Sequence, residues 1–269
     1  MTGRGRETPG LPLSDRAALV TGAARGIGRV VALELASQGA SVALAGRSTA
    51  QLHEVADEVR SSGGTAVIVT ADVTDVDDTQ RMARAVHEAF GRVDVLVANS
   101  GVGGPTAPLW EVDPSDWDHT HAVNVRGVFL TCRAVLPEMV RRGSGSVVVM
   151  GSMSGKRPLP NRTAYTSSKT ALVGLVRSMA WDAGPHGIRV NLVSPGPVGG
   201  PRLQAVLEAA AAASGTAIDQ LRAEQVANSP LGRVVDAGQV ADAVVYLAGD
   251  RSAGVTGEDL NVSAGITMY

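Results

Sequence analysis

Short, uniformly apolar runs alternate with helical patterns along most of the chain. Ala17–Val20 reads as a buried strand, and Ile27, Val30, Val31 and Leu35 then fall at helical spacing up to Gly39. The cycle repeats with a strand at Ser41–Ala45, then Leu52, Val55, Ala56 and Val59 before Gly63–Gly64. Next come a strand at Thr65–Thr70 and a helix carrying Met82, Val86 and Phe90 that stops at Gly91. Strands at Val93–Ala98, Ser146–Met150, Ile188–Val193 and Asp259–Val262 follow, separated by helical stretches over Pro114–Arg142, around Leu172–Met179 and around Val240–Leu247. Strands that are apolar throughout are buried on both faces, so the pattern predicts an α/β class, doubly wound around a parallel seven-stranded sheet with helices on both faces. An Ala-rich segment, 201–228, breaks the alternation after a strand's carboxyl end, where ligand-covering lids sit in such sheets.

Composition narrows the picture. The chain has 269 residues, 44% hydrophobic and 19% charged, which supplies a sizeable core and excludes global disorder. No linker or solenoid repeat divides it, so residues 14–269 are expected to form a single domain behind a flexible tail at 1–13, which is rich in Gly, Pro and Arg. With 24 basic against 26 acidic residues the net charge is −2, giving no reason to expect nucleic acid or an anionic membrane as partner. The N-terminus lacks an apolar signal core and no run is long enough for a bilayer, so a cytoplasmic protein is expected. Cys132, the single cysteine, shares a stripe with Val128, Val135, Leu136 and Met139 and reads as buried and inert. Only two residues are lysines, Lys156 and Lys169, which makes the position of each worth explaining.

The chemistry gathers at strand ends. The first strand runs into Thr21-Gly22-Ala23-Ala24-Arg25-Gly26-Ile27-Gly28 and then a helix, the context in which glycines let backbone N–H groups approach a pyrophosphate. This points to a Rossmann-type dinucleotide site. The second strand ends in Ala45-Gly46-Arg47-Ser48, without the carboxylate that holds a ribose 2′-hydroxyl in NAD sites. Arg25 and Arg47 instead suit a 2′-phosphate, so NADP (NADPH) is preferred and NAD remains possible. Tyr165 and Lys169 are four apart in a helical pattern and share a face, and Ser152 lies just beyond the fifth strand.

From about Asp15 to Gly265 the chain resembles the short-chain dehydrogenase/reductase family, of the roughly 250-residue type, and within it 3-oxoacyl-carrier-protein reductase-like members. The resemblance rests on the glycine loop at 21–28, Asp72-Val73, Asn99-Ser100-Gly101, Asn124 within Val123-Asn124-Val125, Ser152 thirteen positions before Tyr165, Lys169, and Pro195-Gly196. It implies an NAD(P)-dependent oxidoreductase that interconverts a ketone and a secondary alcohol. Tyr165 is implied as general acid or base, Lys169 as the cation that favours its phenolate, and Ser152 as the holder of the substrate oxygen. Asn124 is implied to anchor a water chain for proton supply. The implied cofactor contacts are Gly22, Arg25, Gly26, Ile27, Gly28, Arg47, Asp72, Val73, Asn99, Gly101, Tyr165, Lys169, Pro195, Gly196 and the backbone of Val198. Two departures stand out: Ser100 replaces the usual alanine, and Gly200 replaces a threonine whose hydroxyl would meet the nicotinamide carboxamide. The resemblance also implies a homotetramer, or a dimer, packing through 114–142, 163–184 and the C-terminal strand.

Trp110, Met153, Leu159 and Leu203 suggest an apolar substrate wall beside Ser152, while Arg157, Arg162 and Arg202 leave room for an acidic or phosphorylated group. A thioester reductase and a polyol or sugar dehydrogenase both fit, with a silent dinucleotide-binding regulator, an isomerase or a lyase as rivals. No metal site is expected: His119 and His121 are two apart on a helix and lack a third ligand. Arg141-Arg142 reads as a solvated helix end.

Overall fold

The computed structural model describes residues 11–269. Its strands are β1 (Ala17–Thr21), β2 (Ser41–Gly46), β3 (Ala66–Thr70), β4 (Val95–Ala98), β5 (Gly145–Met150), β6 (Ile188–Pro195) and β7 (Asp259–Val262). They form one sheet in the order β3-β2-β1-β4-β5-β6-β7, every neighbouring pair parallel. The helices are α1 (Gly26–Ser37), α2 (Thr49–Ser61), α3 (Val76–Phe90), α4 (Pro114–His121), α5 (Gly127–Arg142), α6 (Thr163–Ala183), α7 (Pro201–Ser214), α8 (Ile218–Ala227) and α9 (Ala237–Ala248).

The two-residue period of the strands sorts the core into two layers. Ala18, Val20, Val42, Leu44, Val95 and Val97 face the side that packs on α1, α2 and α9. Leu19, Ala43, Ala45, Leu96 and Ala98 face α3, α5 and α6, which contribute Met82, Val86, Val135, Met139, Leu172 and Val176. Chain order reverses between β1 and β4, so the crevice at their carboxyl ends is where such a sheet takes a ligand.

The structure differs from expectation in three places and gives a backbone reason for a fourth feature, Gly200. Residues 1–10 of the expected tail lie outside the described residues, but Leu13 is fully buried in the core and its N–H donates to the Gln38 carbonyl at 2.9 Å. Pro114–Arg142 is two helices joined by a π-turn at Ala122–Arg126. Arg142 is no solvated end: it pairs with Asp94 at 3.0 Å and Glu138 at 2.7 Å and donates to the Val93 carbonyl. Gly200 takes φ +127° and ψ −174°, a region essentially reserved for glycine, so a threonine there would strain the turn into α7.

Segment 201–228 folds as α7 and α8, linked by an Arg222–Gln204 hydrogen bond of 2.6 Å. Its stem is closed where Gly199 N–H donates to the Val235 carbonyl and Val235 N–H to the Pro197 carbonyl, both at 2.9 Å. Among described residues, α8 buries none and α7 buries Leu207. No helix of the described residues is long and apolar enough to cross a membrane.

Candidate active site

The glycine loop is built by close approach. A Cβ on Gly28 would sit 2.2 Å from the Gly22 carbonyl oxygen and 2.4 Å from Asn99 Nδ2, so only glycine fits where α1 leaves the loop. Gly22 and Gly26 have φ of +65° and +58°, and beyond Gly26 the space is open. Asn99 clamps this loop to the end of β4: its Nδ2 donates to the Thr21 carbonyl at 2.9 Å and the Gly22 carbonyl at 3.3 Å. Thr21 Oγ1 in turn accepts the N–H groups of Asn99 and Ser100. No side chain caps the first turn of α1 and no acidic residue lies in it, so its N–H groups and positive dipole end suit an anion.

At the neighbouring corner Arg47, exposed at the end of β2, lies 3.9 Å from Asp72 Oδ2. Asp72 Oδ1 accepts from Thr74 N–H at 2.9 Å and Thr74 Oγ1 at 2.8 Å. The Thr74 N–H, then the Thr74 hydroxyl and Arg47, outweigh partial burial and hold the Asp72 carboxyl below its usual range. Val73 packs beneath, close enough that a Cβ on Gly127 would meet its Cγ2 at 2.9 Å. Arg25 is exposed beside the glycine loop, and Ile27 is partly buried against the core.

On the other side of the crevice β5 ends in a 3-10 turn, Met153–Gly155, which Ser152 caps by accepting Ser154 N–H at 3.1 Å. Lys169 is 5% exposed; its ammonium donates to the Met150 carbonyl at 2.7 Å and lies 5.9 Å from the Tyr165 ring centre. A Cβ on Gly101 would come within 3.2 Å of Asn124 Oδ1 and 3.6 Å of Lys169 Nζ, so loop 101–102, Asn124 and Lys169 meet at one point. Asn124 is fully buried; its Oδ1 accepts Val102 N–H at 2.8 Å, and its Nδ2 donates to the Val102 carbonyl and to Ser168 Oγ, both at 3.0 Å. At the end of β6, Pro195 is buried, and the following Gly196 N–H donates to the Val262 carbonyl at 2.9 Å. The bridge between Val198 and Val235 uses the Pro197 carbonyl and Gly199 N–H, which leaves Val198's own peptide groups directed to the other side.

The expected apolar wall is placed unevenly. Met153 is buried beneath the Ser152 turn, Leu203 is half-buried on α7, and Trp110 is 84% exposed. His121 packs on Trp117 with ring centres 4.4 Å apart, and its Nε2 lies 3.2 Å from Ser167 Oγ. Two features escaped the sequence reading. Nothing in residue type marks the π-turn that carries Asn124. Arg162, read from the sequence only as a charge for an acidic substrate group, donates instead to the Gly103 carbonyl and Thr106 Oγ1, and its guanidinium carbon is 5.2 Å from the Tyr165 ring centre, a link the sequence reading did not make.

The family model described as enoyl-(acyl carrier protein) reductase matches residues 22–267. A 2-(R)-hydroxypropyl-CoM dehydrogenase of Xanthobacter autotrophicus is 38% identical over 94% of this chain and 99% of its own. A 3-oxoacyl-[acyl-carrier-protein] reductase of Staphylococcus aureus is 33% identical over 94% and 98%. Among solved structures, an NAD+-bound xylitol dehydrogenase superposes with a TM-score of 0.92 at 30% identity, over 94% of this chain and 99% of its own. With the fold, the crevice and these relatives in agreement, the chain belongs to the short-chain dehydrogenase/reductase family and is an NAD(P)-dependent oxidoreductase interconverting ketones and secondary alcohols.

Proposed function

We propose that the crevice takes NADP(H) in preference to NAD(H), that Tyr165 carries the proton, and that Ser152, Lys169 and Asn124 serve it. The observation that carries this reading is the placement of Tyr165 on one face of α6 with the buried Lys169 ammonium, at the end of β5 where Ser152 turns.

The residues present fit a dinucleotide. The Gly22–Gly28 loop, including Arg25, Gly26 and Ile27, would hold the pyrophosphate, since the first turn of α1 carries no side-chain cap or acidic residue and the space at Gly26 is open. Asp72 and Val73 would hold the adenine, with Asn99 and Gly101 as the floor. Tyr165 and Lys169 would meet the nicotinamide ribose, and Pro195, Gly196 and Val198 its carboxamide. The chemistry a bound nicotinamide supplies is hydride transfer. Tyr165 Oη gives a proton to the carbonyl oxygen in reduction and takes one back in oxidation. Lys169 stabilises the phenolate form of that cycle by its charge. Ser152 Oγ already accepts Ser154 N–H, which leaves its own proton to donate to the substrate oxygen. Both Asn124 amide protons go to the Val102 carbonyl and Ser168 Oγ, so a water anchored there would donate to an Asn124 oxygen rather than accept from its amide.

Arg47, with no carboxylate at the end of β2 and lying beside Asp72, supports the NADP preference. Residues 201–228, with Leu203, would cover a small-molecule substrate as a lid, and Met153 and Trp110 would bound it. Exposed Phe129 on α5, Trp181 on α6, Tyr246 on α9 and Leu260 on β7 support a homotetramer, or a dimer, by self-association of a cytoplasmic enzyme. The test crosses NADPH and NADH with ketones, diketones and β-ketothioesters, and NADP and NAD with secondary alcohols and polyols. Faster turnover with NADPH is expected, with Arg47→Ala weakening NADPH about tenfold and NADH hardly at all. Tyr165→Phe should cost about 10²–10⁴-fold in turnover, and unchanged turnover would remove the tyrosine from the mechanism. Light scattering decides the assembly, and a monodisperse monomer would contradict it.

A further inference from the structure

We infer that Arg162 is a positioning residue for the reacting phenol, gripping loop 103–107 and holding a guanidinium on the ring face of Tyr165. The inference rests on the reading of Tyr165 as proton carrier.

Arg162 occupies the cap position of α6, directly after Asn161, whose φ of +59° turns the chain into the helix. Its Nη2 donates to the Gly103 carbonyl at 2.6 Å and its Nη1 to Thr106 Oγ1 at 3.2 Å. The adjacent Ala107 N–H donates to the Asn161 carbonyl at 3.0 Å, so residues 161–162 grip the loop after β4 at three points. The guanidinium carbon lies 5.2 Å from the Tyr165 ring centre, within the range of cation–π attraction. The guanidinium spends two separate nitrogens on the loop while its carbon stands over the ring, a division that the single nitrogen of a lysine does not allow. Helix stability does not account for a cation here, because a positive charge at a helix N-terminus opposes the macrodipole, and the first turn of α6 holds no acidic residue to offset it. Arg162, Tyr165 and Lys169 stand at i−3, i and i+4, which puts both cations on the tyrosine's face of the helix.

Other charges near α6 are directed elsewhere or stand farther along it. His121, from α4, reaches Ser167, while Asp116, Asp118 and His119 of α4 are exposed. Lys156, after the Ser152 turn, pairs with Asp259 at 3.0 Å. Arg126 of the π-turn donates to the Thr74 carbonyl, and Arg189 of β6 to the Leu247 and Gly249 carbonyls at the far end of the strand.

The chain has three tyrosines, and the other two, Tyr246 and Tyr269, are exposed. In a Tyr246→Phe/Tyr269→Phe background, tyrosinate absorbance reports Tyr165 alone, with no substrate needed. Adding Arg162→Gln should lower the Tyr165 ionisation constant about three- to thirtyfold, moving its midpoint to higher pH. Arg162→Lys should fall between, and Thr106→Val, which keeps the guanidinium, should leave the midpoint in place. Arg162→Met serves if the glutamine variant does not fold. Coincident titrations of the parent and the uncharged variant overturn the inference, as does a Thr106→Val shift equal to that of Arg162→Gln. A Tyr165→Phe enzyme that keeps its turnover instead sinks the proton-carrier reading and leaves the titration result standing.

Discussion

Replacing Asn124 by alanine removes three hydrogen bonds from a fully buried site. Val102 N–H loses its acceptor, which costs about 1–2 kcal/mol for a partly buried donor. The Val102 carbonyl and Ser168 Oγ lose a donor at about 0.5–1 kcal/mol each; Ser168 loses less because its own hydroxyl still donates to the Tyr165 carbonyl at 2.7 Å. With a small cavity added, the sum is about 3 kcal/mol. For a chain of this size that is a fall in Tm of about 6–12 °C, at fixed protein concentration so that assembly does not intrude. The turnover should fall as well, because Ser168 precedes Lys169 and loop 101–102 lies against its ammonium.

Asn124→Asp separates geometry from hydrogen-bond polarity. The remaining oxygen still accepts Val102 N–H, but the new oxygen faces the Val102 carbonyl, and the Ser168 hydroxyl is engaged with Tyr165. Burial and that carbonyl favour the protonated acid, raising the folded-state pKa of the introduced carboxyl above its unfolded value. A raised pKa makes the deficit relative to the parent smallest at low pH and larger as pH rises through it. Urea unfolding of parent and variant at pH 5 and pH 8 measures this. A loss under about 1 kcal/mol for Asn124→Ala, or a pH-independent deficit for Asn124→Asp, would refute the account of this junction.

Gly28→Ala places a methyl 2.2 Å from the Gly22 carbonyl and should weaken dinucleotide binding more than tenfold in a fluorescence titration while the sheet still forms. Burial pushes the Cys132 thiol up to about 12, so a thiol reagent at pH 8 should label it only once the chain is unfolded. Burial pushes the Asp94 carboxyl up, but Arg92, the Ala17 N–H and Arg142 outweigh it and leave it below the usual range. A depressed folded pKa gives stability that is fully present above the unfolded value of about 3.9 and is lost as pH falls through the lower folded value. Asp94→Asn should therefore cost about 1–3 kcal/mol at pH 7, with the gap to the parent closing below pH 4 in urea titrations.

The alternation of buried strands and amphipathic helices made the parallel sheet legible, because strands apolar on both faces must be covered by helices on both sides. The glycine loop and the Tyr165–Lys169 pair could be picked out because their residues lie close together in sequence, although Asn99, from the end of β4, completes the geometry of the loop. What escaped depends on contacts made far along the chain or on a change of backbone register that no residue type announces. Leu13 belongs to the core because Gln38 receives its N–H, and Arg142 is held because Asp94 lies beneath it. The π-turn at 122–126 shifts the helix by one residue, and Asn124 within it is fully buried. Gly200 looked only like a missing hydroxyl, and its φ of +127° adds that a side chain there would be strained at the entry to α7. Arg162 is the instructive case, since its spacing to Tyr165 was visible while its second partner, loop 103–107, is brought to it only by the sheet. Proximity in sequence can put a cation on the tyrosine's helix face; the folded sheet decides that the same cation also ties down the loop bordering the crevice.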